Sequence, residues 1–293
     1  MLEPRLIFNE LGSDSATDRK LVGGNSTGIA NLNSVRYDWA SKLVTIMLNN
    51  FWIPEKVSLA GSKVTLKELT VKEEEAFKNT LSFLIALDSM QTAALPRLAQ
   101  YVTAPEVASI YTVQEFQEFI HSKSYQYILQ ELYPTLSRDE IYDRWRTNPI
   151  LLKRNKLIAG LYQAFIDNPT KESFKKALVA DFILESIYFY HGFQYFYLLQ
   201  ARQKVVEVAA MIRYIDNDET THCSFMVYQI RELFDLSKGS DDVQMIVDAI
   251  KEAVSQEIEY GHDTYGDWIL GMSYESTEQY IKWLANQRCK LLG

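Results

Sequence analysis

Two short segments carry the same residue types at the same spacing, Glu118-Phe-Ile-His121 and Glu219-Thr-Thr-His222. Both lie in stretches whose apolar residues recur at a helical period. A Glu and a His three positions apart sit one turn apart on one helical face, so a carboxylate oxygen and an imidazole nitrogen can bind the same metal ion. One such pair is weak, because Glu crowds the exposed faces of helices and a neighbouring His is ordinary. Two pairs in a chain with only 4 His point to a shared site.

Two further acids stand where apolar residues belong. Asp88 extends a helical face made by Phe77, Leu81, Leu84 and Leu87, and Glu185 interrupts the aromatic stripe Phe182, Phe189, Phe193, Phe196. Burying an unpaired carboxylate is costly, so each lies at a helix rim or is neutralised by a cation. The set Asp88, Glu118, His121, Glu185, Glu219 and His222 thus offers four carboxylates and two imidazoles from four separate helices. Hard oxygen donors with two imidazoles suit iron or manganese, and four carboxylates balance two divalent ions. Dimetal sites of this composition are built in ferritin-like four-helix bundles, with a Glu-x-x-His from each of two helices and a carboxylate from each of the others.

The elements that must position these groups follow from the rest of the chain. The sequence has 293 residues, 47% hydrophobic and 13% aromatic, with Gly 12 and Pro 7. Scarce helix breakers over that length predict one all-α domain with long helices. Residues 1–34 are rich in Gly, Asn and Ser and read as an irregular arm. A short helix is expected from about Asp38 to Asn50, and then Pro54 disfavours helix in Phe51-Trp-Ile-Pro-Glu-Lys56. Thr70-Val-Lys-Glu73 is a capping box that opens the helix of Asp88. Pro105 starts the helix of Glu118 and His121, which runs to about Tyr133 with Tyr125 and Ile128 on the same stripe. Ser137-Arg-Asp-Glu140 reads as another capping box, and Pro149 starts a helix ending near Asn168-Pro169. One long helix is expected from about Lys171 to Arg202 and the next from about Lys204 to Leu236. Two or more helices follow, the last from near Ser276-Thr-Glu-Gln279.

Read alone, Trp52 and Tyr125 are core aromatics, and His191 and His262 are structural histidines. The formal net charge of -8 argues against nucleic-acid binding by simple electrostatics, and no apolar run is long enough to cross a bilayer. Cys223 and Cys289 make no disulfide framework, and the N-terminus lacks the apolar core of a signal peptide, so the cytoplasm is the expected location.

From about Trp52 to Met226 the chain resembles the small, radical-generating subunit of class I ribonucleotide reductase. The motifs that carry the resemblance are Phe51-Trp-Ile-Pro-Glu, Leu87-Asp-Ser-Met-Gln91, Glu118-Phe-Ile-His-Ser-Lys-Ser-Tyr125, Leu184-Glu-Ser-Ile-Tyr-Phe-Tyr190 and Asp218-Glu-Thr-Thr-His222. The resemblance implies that the six residues above bind two metals and that Tyr125 holds a stable radical shielded by Phe189, Phe193 and Ile215. It also implies that Trp52 and Asp218, linked through His121, begin the route of the oxidising equivalent toward a large subunit that reduces ribonucleotides. A homodimer is implied as well. The wording Pro54-Glu-Lys56 and the short interval from His121 to Glu185 resemble the subgroup that uses manganese with a flavodoxin-like activator. The chemistry agrees with these roles, since a phenoxyl radical survives only away from water and reductants, and Asp218 can accept the second N–H of a ligand imidazole.

Two features depart from the family pattern. Asn217 stands where an Arg is common, which leaves the hydrogen bonding of Asp218 open. The sequence ends at Leu291-Leu-Gly293, directly after the last expected helix, where family members carry a flexible tail with a Tyr used in radical transfer. A chain ending there is expected to bind the large subunit poorly. A ferritin-like metal store would share the ligands but gives no reason for the Phe51-Trp-Ile-Pro-Glu stretch or Tyr125. A dimetal oxidase or desaturase would need a substrate channel where this chain places Phe.

Overall fold

Capping chemistry sets where the central helices begin. In the computed structural model, which describes all 293 residues, the Thr70 hydroxyl accepts from the Glu73 amide at 3.2 Å, and the Glu73 carboxylate takes the Thr70 amide at 2.8 Å. This reciprocal cap, worth about 1 kcal/mol, opens α3 (Val71–Ala99). Pro105 occupies the first position of α4 (Pro105–Leu132), where no amide donor is needed. Before them lie α1 (Asp38–Asn49) and α2 (Ala60–Thr65), with a 3-10 turn at Pro54–Lys56 between them.

The next elements are α5 (Thr135–Thr147), α6 (Pro149–Asp167) and α7 (Lys171–Ile183). Thereafter the expected continuous helix is interrupted, because Leu184–Tyr188 forms a π-helical turn before α8 (Phe189–Ala201). A π turn leaves carbonyls without their ordinary partners. Here Arg288, from a distant helix, donates its Nε–H to the Ser186 carbonyl at 2.9 Å. The chain closes with α9 (Val206–Leu233), α10 (Asp241–Thr264) and α11 (Tyr274–Leu292). The capping box expected at Ser137 does not form. Helix α5 starts earlier than Ser137, directly after Pro134, whose ring pre-sets the entry backbone. At α11 the Ser273 hydroxyl accepts from the Ser276 amide, so the helix is capped three residues before Ser276, where its start was expected.

Helices α3, α4, α9 and the α7–π–α8 rod surround a shared apolar core, with α5 and α6 outside α3 and α7, α10 and α11 against the π turn, and α1 against α4 and α9. Residues before Asp38 contain no helix, as the composition predicts, yet they are anchored. Leu2, Leu21 and Val22 are buried, and Arg19 pairs with Glu106 at 2.9 Å below the surface. No helix is long and apolar enough to cross a membrane.

Candidate metal centre

Each of the four central rods contributes a carboxylate to one buried cluster. Asp88 comes from α3, Glu118 and His121 from α4, Glu185 from the π turn, and Glu219 and His222 from α9, all of them fully buried. They converge as two overlapping groups. Donor atoms of Asp88, Glu118, His121 and Glu219 lie within 4.8 Å of one another, and so do those of Glu118, Glu185, Glu219 and His222. Glu118 and Glu219 belong to both groups, which places them between two candidate ion positions. All six residues singled out from the sequence therefore meet in one place.

The imidazoles face this cluster with Nδ1. His121 Nδ1 lies 3.0 Å from Glu219 and 3.4 Å from Glu118, and His222 Nδ1 lies 2.8 Å from Glu219 and 3.1 Å from Glu118. Their other nitrogens are tied back. His121 Nε2 stands 3.2 Å from Asp218, whose carboxylate can only accept, so this nitrogen carries the proton. His222 Nε2 likewise donates to the Gln117 carbonyl at 3.0 Å. Both Nδ1 atoms are thereby left with lone pairs turned toward carboxylates, an arrangement that calls for a cation between them.

The carboxylates make the same demand. Both oxygens of Asp88 and of Glu118, Oε2 of Glu185, Oε1 of Glu219 and Nδ1 of His121 are buried without any hydrogen-bond partner. Buried orphans are rare and expensive, and here they share one pocket. Burial, then the Glu118 charge, pushes the Asp88 carboxyl well above the usual range, and burial with Glu219 and Glu118 does the same to Glu185. Burial works against charge on both imidazoles. On His121 the Glu219, Asp218 and Glu118 carboxylates prevail, and on His222 the Glu185, Glu219 and Glu118 carboxylates do, so both pKa values rise well above the ordinary one. A protein that concentrates this much unpaired negative charge in its core fits two divalent cations.

A shell of amides completes the site, and the sequence reading missed it. Gln91 donates to Asp181 at 2.9 Å and also to Glu185, and Gln114 donates to the same Glu185 oxygen at 2.8 Å. One oxygen of Glu185 is thus pinned while the other points into the cluster. Gln117 donates to Asp218 Oδ1 at 2.9 Å while its carbonyl holds His222, so one side chain links the outer partners of both histidines. A signal was available, since Gln91, Gln114, Gln117 and Asp181 each lie three or four positions from one of the six residues on its own helix.

Trp52 is half-buried and donates its indole N–H to Asp218 at 2.9 Å. Asp218 therefore has three donors, Trp52, Gln117 and His121, and Asn217 is exposed, so the site does not use the position where Arg is common. Tyr125 is fully buried and its hydroxyl has no hydrogen-bond partner. Burial first, then the charges of Asp88 and Glu219, push its pKa well above the ordinary value, so the phenol stays protonated. Phe189, Phe193 and Ile215 are buried, with Phe189 and Phe193 stacked at 5.7 Å. His191 is buried 3.5 Å from Glu257, and His262 lies 3.3 Å from the Tyr274 carbonyl, both away from the cluster.

The chain is similar to known proteins along its length. The family model for the ribonucleotide reductase small chain matches residues 29–293. The ribonucleoside-diphosphate reductase subunit beta of Treponema pallidum is 38% identical over 296 residues, covering 100% of this chain and 84% of that protein. That of Halalkalibacterium halodurans is 35% identical over 295 residues, covering 100% and 85%. The ribonucleotide reductase R2 subunit from Clostridium botulinum superposes with a TM-score of 0.96 at 39% identity, covering 100% of this chain and 92% of the other.

Proposed function

Because the chain belongs to the family of ribonucleotide reductase small chains and is the small subunit of a ribonucleoside-diphosphate reductase, we propose the following roles for its residues. Asp88, Glu118, His121, Glu185, Glu219 and His222 hold two ions of iron or manganese, with Glu118 and Glu219 shared between them. When bound, the pair supplies a one-electron oxidising equivalent from an oxygen-derived oxidant. The observation that carries this reading is the pair of overlapping carboxylate–histidine groups, with their orphaned donor atoms fully buried.

Tyr125 stores the equivalent. Its phenol loses one electron and the hydroxyl proton, which the Asp88 carboxylate, whose charge acts on that phenol, can accept, and the buried Phe189, Phe193 and Ile215 are assigned the shielding role that the family resemblance implies. Trp52 and Asp218 begin the exit route. Asp218 holds the Nε2 proton of His121 in place and takes the indole N–H of Trp52, so Trp52 can give up an electron without a free proton appearing in the core. Gln117 keeps Asp218 and His222 in register.

The small subunit works with a large subunit that reduces the ribonucleotide. Our reading adds a homodimer. Exposed Phe51 and Phe116, stacked at 6.1 Å, with Leu48 beside them form an apolar surface of the kind that a second copy covers. It also adds a flavodoxin-like activator where manganese is the metal, which rests on family resemblance alone. The test is metal analysis with electron paramagnetic resonance on protein isolated from its native host. Two ions per chain with an organic or high-valent signal after oxidation are expected. Two ions with neither signal under any oxidant would overturn the radical-storage roles proposed for these residues.

A further inference from the structure

A cavity of about 380 Å³ opens where the N-terminal arm crosses the turn between α3 and α4, and it shares no residue with the metal centre. Its walls come from three separate stretches of chain tied together by backbone hydrogen bonds. The Arg5 amide donates to the Gln100 carbonyl at 2.7 Å, the Asn9 amide to the Thr27 carbonyl at 2.8 Å, and the Thr103 amide to the Leu21 carbonyl at 2.8 Å. Gly24 closes the corner. Its amide donates to the Thr103 hydroxyl at 3.0 Å, and a Cβ at this position would stand only 2.8 Å from that oxygen. The cavity is thus a fixed feature of the fold.

The residues around it hold one unmatched charge. Arg5 is half-buried, burial lowers its pKa, and no carboxylate acts on it. Glu3, which also lines the cavity, is exposed and lends Arg5 no charge. A guanidinium that loses water without gaining an anion is costly, and in a chain of net charge -8 acids were not scarce. Asn25 and Ser26 line the same cavity, and their amides make no hydrogen bond within the chain. An arginine fork beside successive free N–H groups of a glycine-rich turn is a donor set suited to a phosphate, whose oxygens accept several such bonds at once. The volume lies in the range of small-molecule sites and exceeds what a bare phosphate needs, with Leu2 and Leu6 as apolar wall for the remainder.

We propose that this cavity binds a phosphate ester of nucleotide size, with Arg5 and the amides of Asn25 and Ser26 on the phosphate. The site is separate from the metal cluster and does not depend on the radical roles given above. Titration calorimetry on the metal-loaded protein, without the large subunit, tests it with adenosine 5′-monophosphate and ribose 5-phosphate as probes. At least one should bind saturably at one per chain. Inorganic phosphate should compete but bind more weakly, and adenosine, which lacks the phosphate, should not bind. Arg5→Gln should weaken the ester by about 10- to 100-fold, the loss expected for charged hydrogen bonds, and Arg5→Lys by less. Metal content and turnover of both variants should match the unaltered protein.

Hydrogen exchange in the unaltered protein locates the ligand without any substitution, since the Asn25 and Ser26 amides should exchange more slowly when the ester is bound. Saturable binding by neither ester overturns the proposal. So does binding that Arg5→Gln leaves undiminished, or binding that slows exchange elsewhere and not at Asn25 and Ser26. Inorganic phosphate bound as tightly as either ester overturns the assignment of the ligand as an ester.

Discussion

Trp52 and Asp218 lie 166 residues apart in the chain and are joined by a single hydrogen bond, indole N–H to carboxylate, at 2.9 Å. The same Asp218 oxygen holds His121 Nε2 at 3.2 Å. Asp218→Asn keeps the shape and removes the charge, and an amide offers only one oxygen to three donors. The variant should bind metal about 10- to 100-fold more weakly on the His121 side and lose turnover to a similar degree. Stepwise metal titration beside nucleotide reduction measures both, and unchanged values would remove Asp218 from the site.

Gln117 touches both halves of the cluster through its outer partners. Gln117→Leu strands the buried His222 N–H and removes one donor from Asp218, which should lower stability by about 1–3 kcal/mol. Metal affinity should drop in both groups rather than one. A urea unfolding curve and a metal titration that both match the unaltered protein would show that Gln117 is incidental.

Glu185 belongs to only one of the two groups, through its unpinned Oε2. Glu185→Ala should therefore abolish stoichiometric binding at the position shared with His222 and spare the position shared with Asp88. Two tight ions in the variant would contradict the assignment.

Tyr125→Phe removes a hydroxyl that has no hydrogen-bond partner, so folding stability should change by less than about 1 kcal/mol and two metals should still bind. The organic radical should vanish. Loss of nucleotide reduction alongside it identifies Tyr125 as the store, whereas full activity places the stored equivalent on the metals.

Asp181 gives a pH test in metal-free protein. Burial, then the Glu118 charge, raises its carboxyl from 3.8 to about 7, so between those values the folded state holds a proton that the unfolded state has released. Stability contributed by this group is whole below about pH 4 and is lost as pH rises to about 7. Asp181→Asn cannot titrate and should flatten that decline by an amount on the order of a few kcal/mol across the window. Parallel slopes of unfolding free energy against pH in the two proteins would show that Asp181 does not titrate there.

The sequence alone singled out the six residues that the fold brings together. A carboxylate on an apolar stripe is an anomaly that local pattern exposes, and Asp88, Glu118, Glu185 and Glu219 are all of that kind. The starts of α3, α4 and α6 were legible for a similar reason, since caps and prolines act within one turn of chain. What only the tertiary structure decided were the relations that depend on distant segments meeting. The π turn at Glu185 has no local mark, and its Ser186 carbonyl is met by Arg288, 102 residues away. The missing Arg at Asn217 left Asp218 short of a partner until Gln117 and Trp52 arrived from α4 and the segment before α2. The stacking of Tyr214 on Trp52, with ring centroids 5.3 Å apart, is of the same class. Side-chain periodicity reports which face a residue occupies on its own helix, and it carries no information about which other helix that face will meet.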